Sequence, residues 1–136
     1  MTPEAALHLA KARQELGKAR AMLGIALADE AGRTAYLAGF HAAQAFIFER
    51  TGRAPKTHSG VRSQFGARAR EEPTIGPELR RFLTDAYDLK SVADYALGED
   101  AVVSPEDAAE AIATADRFVA AIERLLASSP QAGNHG

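Results

Sequence analysis

The chain has 136 residues and a mass of 14.4 kDa, is 46% hydrophobic and 25% charged, and carries a formal net charge of −2. Those proportions are those of an ordinary globular domain and argue against wholesale disorder. There is no cysteine, which excludes a disulfide framework, a thiolate nucleophile and a zinc–thiolate site. Thirty alanines against six prolines and eleven glycines favour helix, because Ala gives up no side-chain entropy there. No apolar run approaches the roughly 20 residues of a membrane span, and no charged-then-apolar leader opens the chain. The expectation is an all-α, cytoplasmic domain over residues 1–128 that makes no membrane contact, with a polar, disordered tail at 129–136.

Thr2-Pro3-Glu4 reads as a helix start: a capping hydroxyl, a proline in the first turn and an acid at the positive dipole end. The pattern predicts one helix from there to about Ala28, with Leu9, Leu16, Leu23 and Leu27 as its apolar stripe and a break at Asp29 to Gly32. A second helix runs from about Arg33 to Thr51. Tyr36, Phe40, Ala43 and Ile47 recur at helical spacing with Leu37, Phe46 and Phe48 beside them, an arc wide enough for the central, most buried helix. Gly39 would let a neighbouring helix approach closely, and Gly52 stands where a C-cap is needed.

Pro55 interrupts the next stretch, since it lacks an N–H and biases Ala54 away from helix. A short third helix is predicted over about Ser59 to Ala69, with Val61 and Phe65 inward. A fourth opens at Pro77 and continues to about Leu97, with Phe82, Ala86, Leu89, Ala93 and Ala96 as its stripe. Ser104-Pro105-Glu106-Asp107 starts a fifth, whose repeat is Ala108, Ile112, Ala115, Val119, Ile122 and Leu126. Long helices joined by short loops predict an up-and-down bundle of four to five helices.

Charge is unevenly placed. Arg50, Arg53, Lys56, Arg62, Arg68 and Arg70 fall in a stretch without Asp or Glu, whereas residues 94 to 116 hold seven acids and no Lys or Arg. A basic segment can collect phosphates or an acidic surface, or can simply be solvated. Within it, Lys56-Thr57-His58-Ser59-Gly60 combines a cation, a capping hydroxyl and an imidazole at a helix start, a combination suited to an anion. Arg53, Lys56, Thr57, His58 and Arg62 are therefore the candidate anion- or nucleotide-binding residues.

His41, on the second helix, is a second candidate proton carrier or else a core histidine. Around the fourth helix Tyr87, Lys90 and Asp94 share a flank beside the apolar stripe. With Tyr36 and Tyr95 they form a candidate cleft or interface. No Gly-rich phosphate loop, HExxH, GxSxG or EF-hand loop is present, and no Glu-x-x-His pair supports a di-iron site. Neither a metal nor a cofactor is expected.

Tyr36-Leu-Ala-Gly-Phe-His-Ala-Ala-Gln-Ala45, Pro55-Lys-Thr-His-Ser-Gly-Val61, Phe65-Gly66 and Ala93-Asp-Tyr95 resemble small stand-alone prokaryotic HEPN domain proteins, a resemblance covering about residues 5 to 126. It implies a helical bundle, commonly a homodimer, often paired with a minimal nucleotidyltransferase in a toxin–antitoxin system. Catalytic members are metal-independent ribonucleases in which an Arg and a His, separated by four to six residues on a late helix, act on RNA at the dimer cleft. This chain departs from that motif: the corresponding helix offers Lys90-Ser-Val-Ala-Asp94-Tyr95. Lysine lacks the planar fork for bidentate phosphate contact, and an ionised aspartate repels a phosphodiester. Arg53 and His58 do have the spacing, but across a loop broken by Pro55.

The leading expectation is thus a dimeric domain that binds RNA, nucleotide or a protein partner without the standard ribonuclease pair. The alternatives are a ribonuclease using His58 or His41, with Lys90 and Asp94 as further candidates, and a purely structural interaction module.

Overall fold

The computed structural model describes the backbone of residues 1–95 and 103–128; the side chains of 92–95 and 128 lie outside that description. The expected tail at 129–136 lies outside it altogether. Five helices follow one another: α1 (Pro3–Gly24), α2 (Ala28–Thr51), α3 (His58–Ala69), α4 (Pro77–Tyr95) and α5 (Pro105–Ser128). The described residues contain no strand, and the all-α bundle is as the alanine content and spacing imply.

Helix α2 is central. It packs most extensively on α1 and also contacts α3, α4 and α5. Fourteen of its 24 residues are buried, from Ala31 to Ile47. The wide apolar arc requires this, because no single neighbour could cover it. Four phenylalanines link the layers. Phe46 of α2 meets Phe65 of α3, with ring centroids 5.6 Å apart. Phe65 meets Phe118 of α5 at 5.1 Å, and Phe118 meets Phe82 of α4 at 5.2 Å. Burying each of these rings contributes about 1.5–3 kcal/mol. The α5 repeat Ala108, Ile112, Ala115, Val119, Ile122 and Leu126 is buried throughout.

Helix ends follow local chemistry. The Thr2 hydroxyl accepts from the Ala5 N–H at 3.2 Å, the Thr57 hydroxyl from Gly60 at 3.0 Å, and the Ser104 hydroxyl from Asp107 at 3.0 Å. Gly52 adopts φ 78° and its N–H closes on the Phe48 carbonyl, a left-handed cap that a side chain would strain. Gly39 permits the close approach of α4. A Cβ there would run into the Phe82 ring and would lie 3.2 Å from Leu83.

The α1–α2 junction differs from expectation. Helix α1 ends at Gly24, not near Ala28, and α2 starts at Ala28, so Asp29 to Gly32 is its first turn and not a break. Asp29 and Glu30 are stabilised there by the positive end of the helix dipole. The Asp29 carboxylate also accepts the Val103 N–H at 2.9 Å. The chain turns through Ile25, Ala26 and Leu27, with Ala26 at φ 66°. Leu27, expected on the α1 stripe, is consequently exposed.

Charges join the outer faces. Arg13 of α1 reaches Asp116 at 2.8 Å and also Glu123, both on α5, and Arg20 adds a contact to Asp116. Part of the acidic stretch is therefore neutralised by α1. Arg50 of the basic stretch pairs with Glu72 at 2.6 Å.

Candidate functional site

Three helices meet around His58. Thr57 caps α3, which makes His58 the first residue of that helix and turns its ring toward α2 and α4. The imidazole sits among three aromatic rings, with centroids 5.0 Å from Phe40, 5.5 Å from Tyr36 and 5.7 Å from Tyr87. Tyr36 and Phe40 are four apart on α2, so both project from one face. Tyr87 comes from α4 and meets Tyr36 edge-on at 5.4 Å.

Cations complete the cluster. Arg62, one turn along α3 from His58, lays its guanidinium over the Tyr87 ring at 3.9 Å, a close cation–π contact. Lys90, nearly one turn along α4 from Tyr87, places its ammonium 5.7 Å from the same ring. Within Arg62, Nη1 is buried and has no hydrogen-bond partner among the described residues. A buried donor without a partner costs about 1–3 kcal/mol, and an entering anion would supply the missing acceptor.

The Tyr36 hydroxyl lies 2.8 Å from His58 Nδ1. Burial pushes Tyr36 up to about 12, against an opposing pull from the Arg62 charge and N–H, so the phenol keeps its proton at neutral pH. The His58 imidazole is held below its usual range by burial first, then by the Lys90 and Arg62 charges. It is neutral at pH 7.

Of the residues proposed from sequence, Tyr36, His58, Arg62, Tyr87 and Lys90 come together. Thr57 joins them indirectly as the helix cap. Arg53 and Lys56 are exposed; Arg53 lines a separate basic hollow with Gln64 and Arg68. The side chains of Asp94 and Tyr95 lie outside the described residues. His41 faces the other way, toward α1. Its Nδ1 lies 3.1 Å from the Gln44 Oε1, and Lys11, Glu15 and His8 act on its charge.

Two contributors were not singled out from sequence. Phe40 was read only as core, yet it is the ring nearest His58. Gln44 bonds His41 and donates to the Pro55 carbonyl at 3.0 Å, tethering the loop that delivers His58. Its one signal was a lone amide within an apolar arc.

Elsewhere, a groove of about 380 Å³ between α4 and α5 is lined by Glu78, Asp85, Asp107 and Glu110 around Phe82 and Leu89, a charge unsuited to phosphate. No group of three metal-ligating side chains occurs among the described residues. None of the described helices is long and apolar enough to cross a membrane.

Comparison with known proteins agrees with this geometry. The family model described as "HEPN domain" matches residues 5–125. A Gloeobacter violaceus protein named "UPF0332 protein glr0978" is 33% identical over 127 residues, covering 93% of this chain and 99% of that protein. A Methanocaldococcus jannaschii protein named "Putative toxin MJ0605" is 31% identical over 115 residues, covering 85% of this chain and 83% of that protein.

Proposed function

The chain belongs to the HEPN domain family, and from that premise we propose that it is the nucleic-acid-facing component of a toxin–antitoxin-type system. It binds RNA or nucleotide phosphate at the His58–Arg62–Lys90 cluster. The observation that carries this reading is the stacking of Arg62 on Tyr87 beside Lys90 and a neutral His58. The cluster offers fixed positive charge, an aromatic face and a neutral imidazole, and no carboxylate acts on His58 or Tyr36 among the described residues. Phosphate contacts supply affinity and aromatic rings supply stacking for unpaired bases.

The similarity to a relative named as a toxin supports this setting. The protein works as a cytoplasmic homodimer, α4 lying at or near the junction, with a minimal nucleotidyltransferase as protein partner. Residues 1–128 act as one domain. The late helix carries Lys90 where catalytic relatives carry arginine and Asp94 where they carry histidine, so binding without the standard ribonuclease chemistry is the function assigned.

Binding of a short single-stranded RNA at low salt, where phosphate contacts are strongest, tests the proposal. The wild type should bind with an affinity that falls steeply with salt, and Arg62→Ala combined with Lys90→Ala should abolish it. Equal binding by the double variant would defeat the assignment. Metal-free cleavage of the RNA that is lost in His58→Ala would establish the ribonuclease alternative.

A further inference from the structure

We infer that Tyr36 is a positioning residue that fixes the proton of His58 on Nε2, so that the cluster presents only donors and takes anions whose oxygens carry no proton, such as a phosphodiester or sulfate. The inference rests on the phosphate-binding reading for its ligand, but its geometry stands independently.

Hydrogen-bond accounting leads to it. A neutral imidazole has one N–H and one lone pair, and which nitrogen holds the proton is set by its partners. His58 Nδ1 faces the Tyr36 hydroxyl at 2.8 Å. That hydroxyl could donate or accept. Arg62 decides the matter, because it acts on the Tyr36 oxygen both by charge and as a donor. A cation that can only donate orients the oxygen lone pairs toward itself, which turns the hydroxyl proton away. Among the described residues, His58 Nδ1 is the acceptor within reach. Tyr36 therefore donates to Nδ1, and the His58 proton resides on Nε2.

Arg62 has no acceptor, lysine has none, and His58 turned this way has none left. Such a cluster matches an oxyanion with bare oxygens. It also removes His58 as general base, since the nitrogen outside the Tyr36 bond is already protonated.

The second buried imidazole gives an internal contrast. His41 Nδ1 lies 3.1 Å from Gln44 Oε1. The amide is oriented by its own Nε2, which donates to the Pro55 carbonyl, so Oε1 must accept. His41 thus carries its proton on Nδ1. The chain holds two neutral histidines with opposite tautomers, and the base-competent one is remote from Arg62 and Lys90.

Nitrogen NMR of the imidazole rings at pH above 7 reads this directly. In the wild-type protein His58 should show a protonated-type Nε2 and an unprotonated-type Nδ1, with His41 showing the reverse. Tyr36→Phe should abolish the single-tautomer pattern of His58 and leave that of His41 intact, which also verifies that the variant is folded. Titration with sodium sulfate should shift the His58 Nε2 signal and not the His41 signals. A wild-type His58 protonated on Nδ1, or a pattern unmoved by Tyr36→Phe, overturns the inference. A correct tautomer with no response to sulfate overturns the donor-only anion site while leaving RNA binding to be judged by its own assay.

Discussion

The guanidinium of Arg62 lies 3.9 Å from the centroid of the Tyr87 ring, so the residue that charges the cluster also clamps α3 to α4. Its two roles separate on substitution. Arg62→Lys keeps the charge but loses the planar stack and the fork. We expect it to lower stability by about 0.5–2 kcal/mol, read by denaturant titration, and to keep the salt slope of RNA binding. Arg62→Ala should also reduce that slope by about one unit.

Acidification should destabilise the protein. His8, His41 and His58 are all held below 6.5, with burial as the leading cause in each case. In the unfolded chain each takes up a proton near its ordinary value, whereas in the fold it does so only at lower pH. Between those limits the unfolded state binds more protons, so stability rises with pH. The contribution is complete above about 6.5 and is lost as pH falls through the folded values. Thermal melts between pH 7.5 and 5 should show a falling Tm, with a smaller drop in His41→Gln. A flat profile would contradict the burial of these rings.

Two glycines should answer oppositely to alanine. Gly17, on the exposed side of α1, has open space where a Cβ would go, so Gly17→Ala should stabilise by about 0.5–1 kcal/mol through helix propensity. At Gly39 the added carbon would meet the rigid Phe82 ring, with Leu83 close behind. Overpacking of about 1–3 kcal/mol should outweigh the same propensity gain. Paired chemical denaturation curves test both signs.

Removing the cap of α3 should disturb the cluster from a distance. Thr57→Ala deletes the acceptor of the Gly60 N–H and should cost about 0.5–2 kcal/mol. Because His58 is the first residue of that helix, fraying would also loosen its bond to Tyr36. Sulfate or RNA affinity should fall in Thr57→Ala and recover in Thr57→Ser, a rescue that a generic loss of stability at this exposed site would not give to binding.

The architecture was written in local physics. Alanine content, the 3.6-residue recurrence of Tyr36, Phe40, Ala43 and Ile47, and the caps at Thr2, Gly52, Thr57 and Ser104 determine which segments become helices and which faces seek cover. The α1–α2 junction was misread, because Leu27 continues the α1 spacing while the acids beside it favour a new helix start. Spacing alone cannot weigh those two pulls.

The site was legible only as parts. His58 and Arg62 stood out from the basic stretch, and Tyr87 and Lys90 from their shared flank on α4, but periodicity within one helix carries no information about which flank another helix will meet. Packing against α2 decided that. The close approach at Gly39 brings α4 in, the Thr57 cap directs His58 inward, and Tyr36 lies between them. Sequence likewise cannot say which nitrogen of an imidazole holds its proton, since that depends on partners distant along the chain. Tyr36 is 22 residues from His58, and only the folded bundle brings its hydroxyl to that ring.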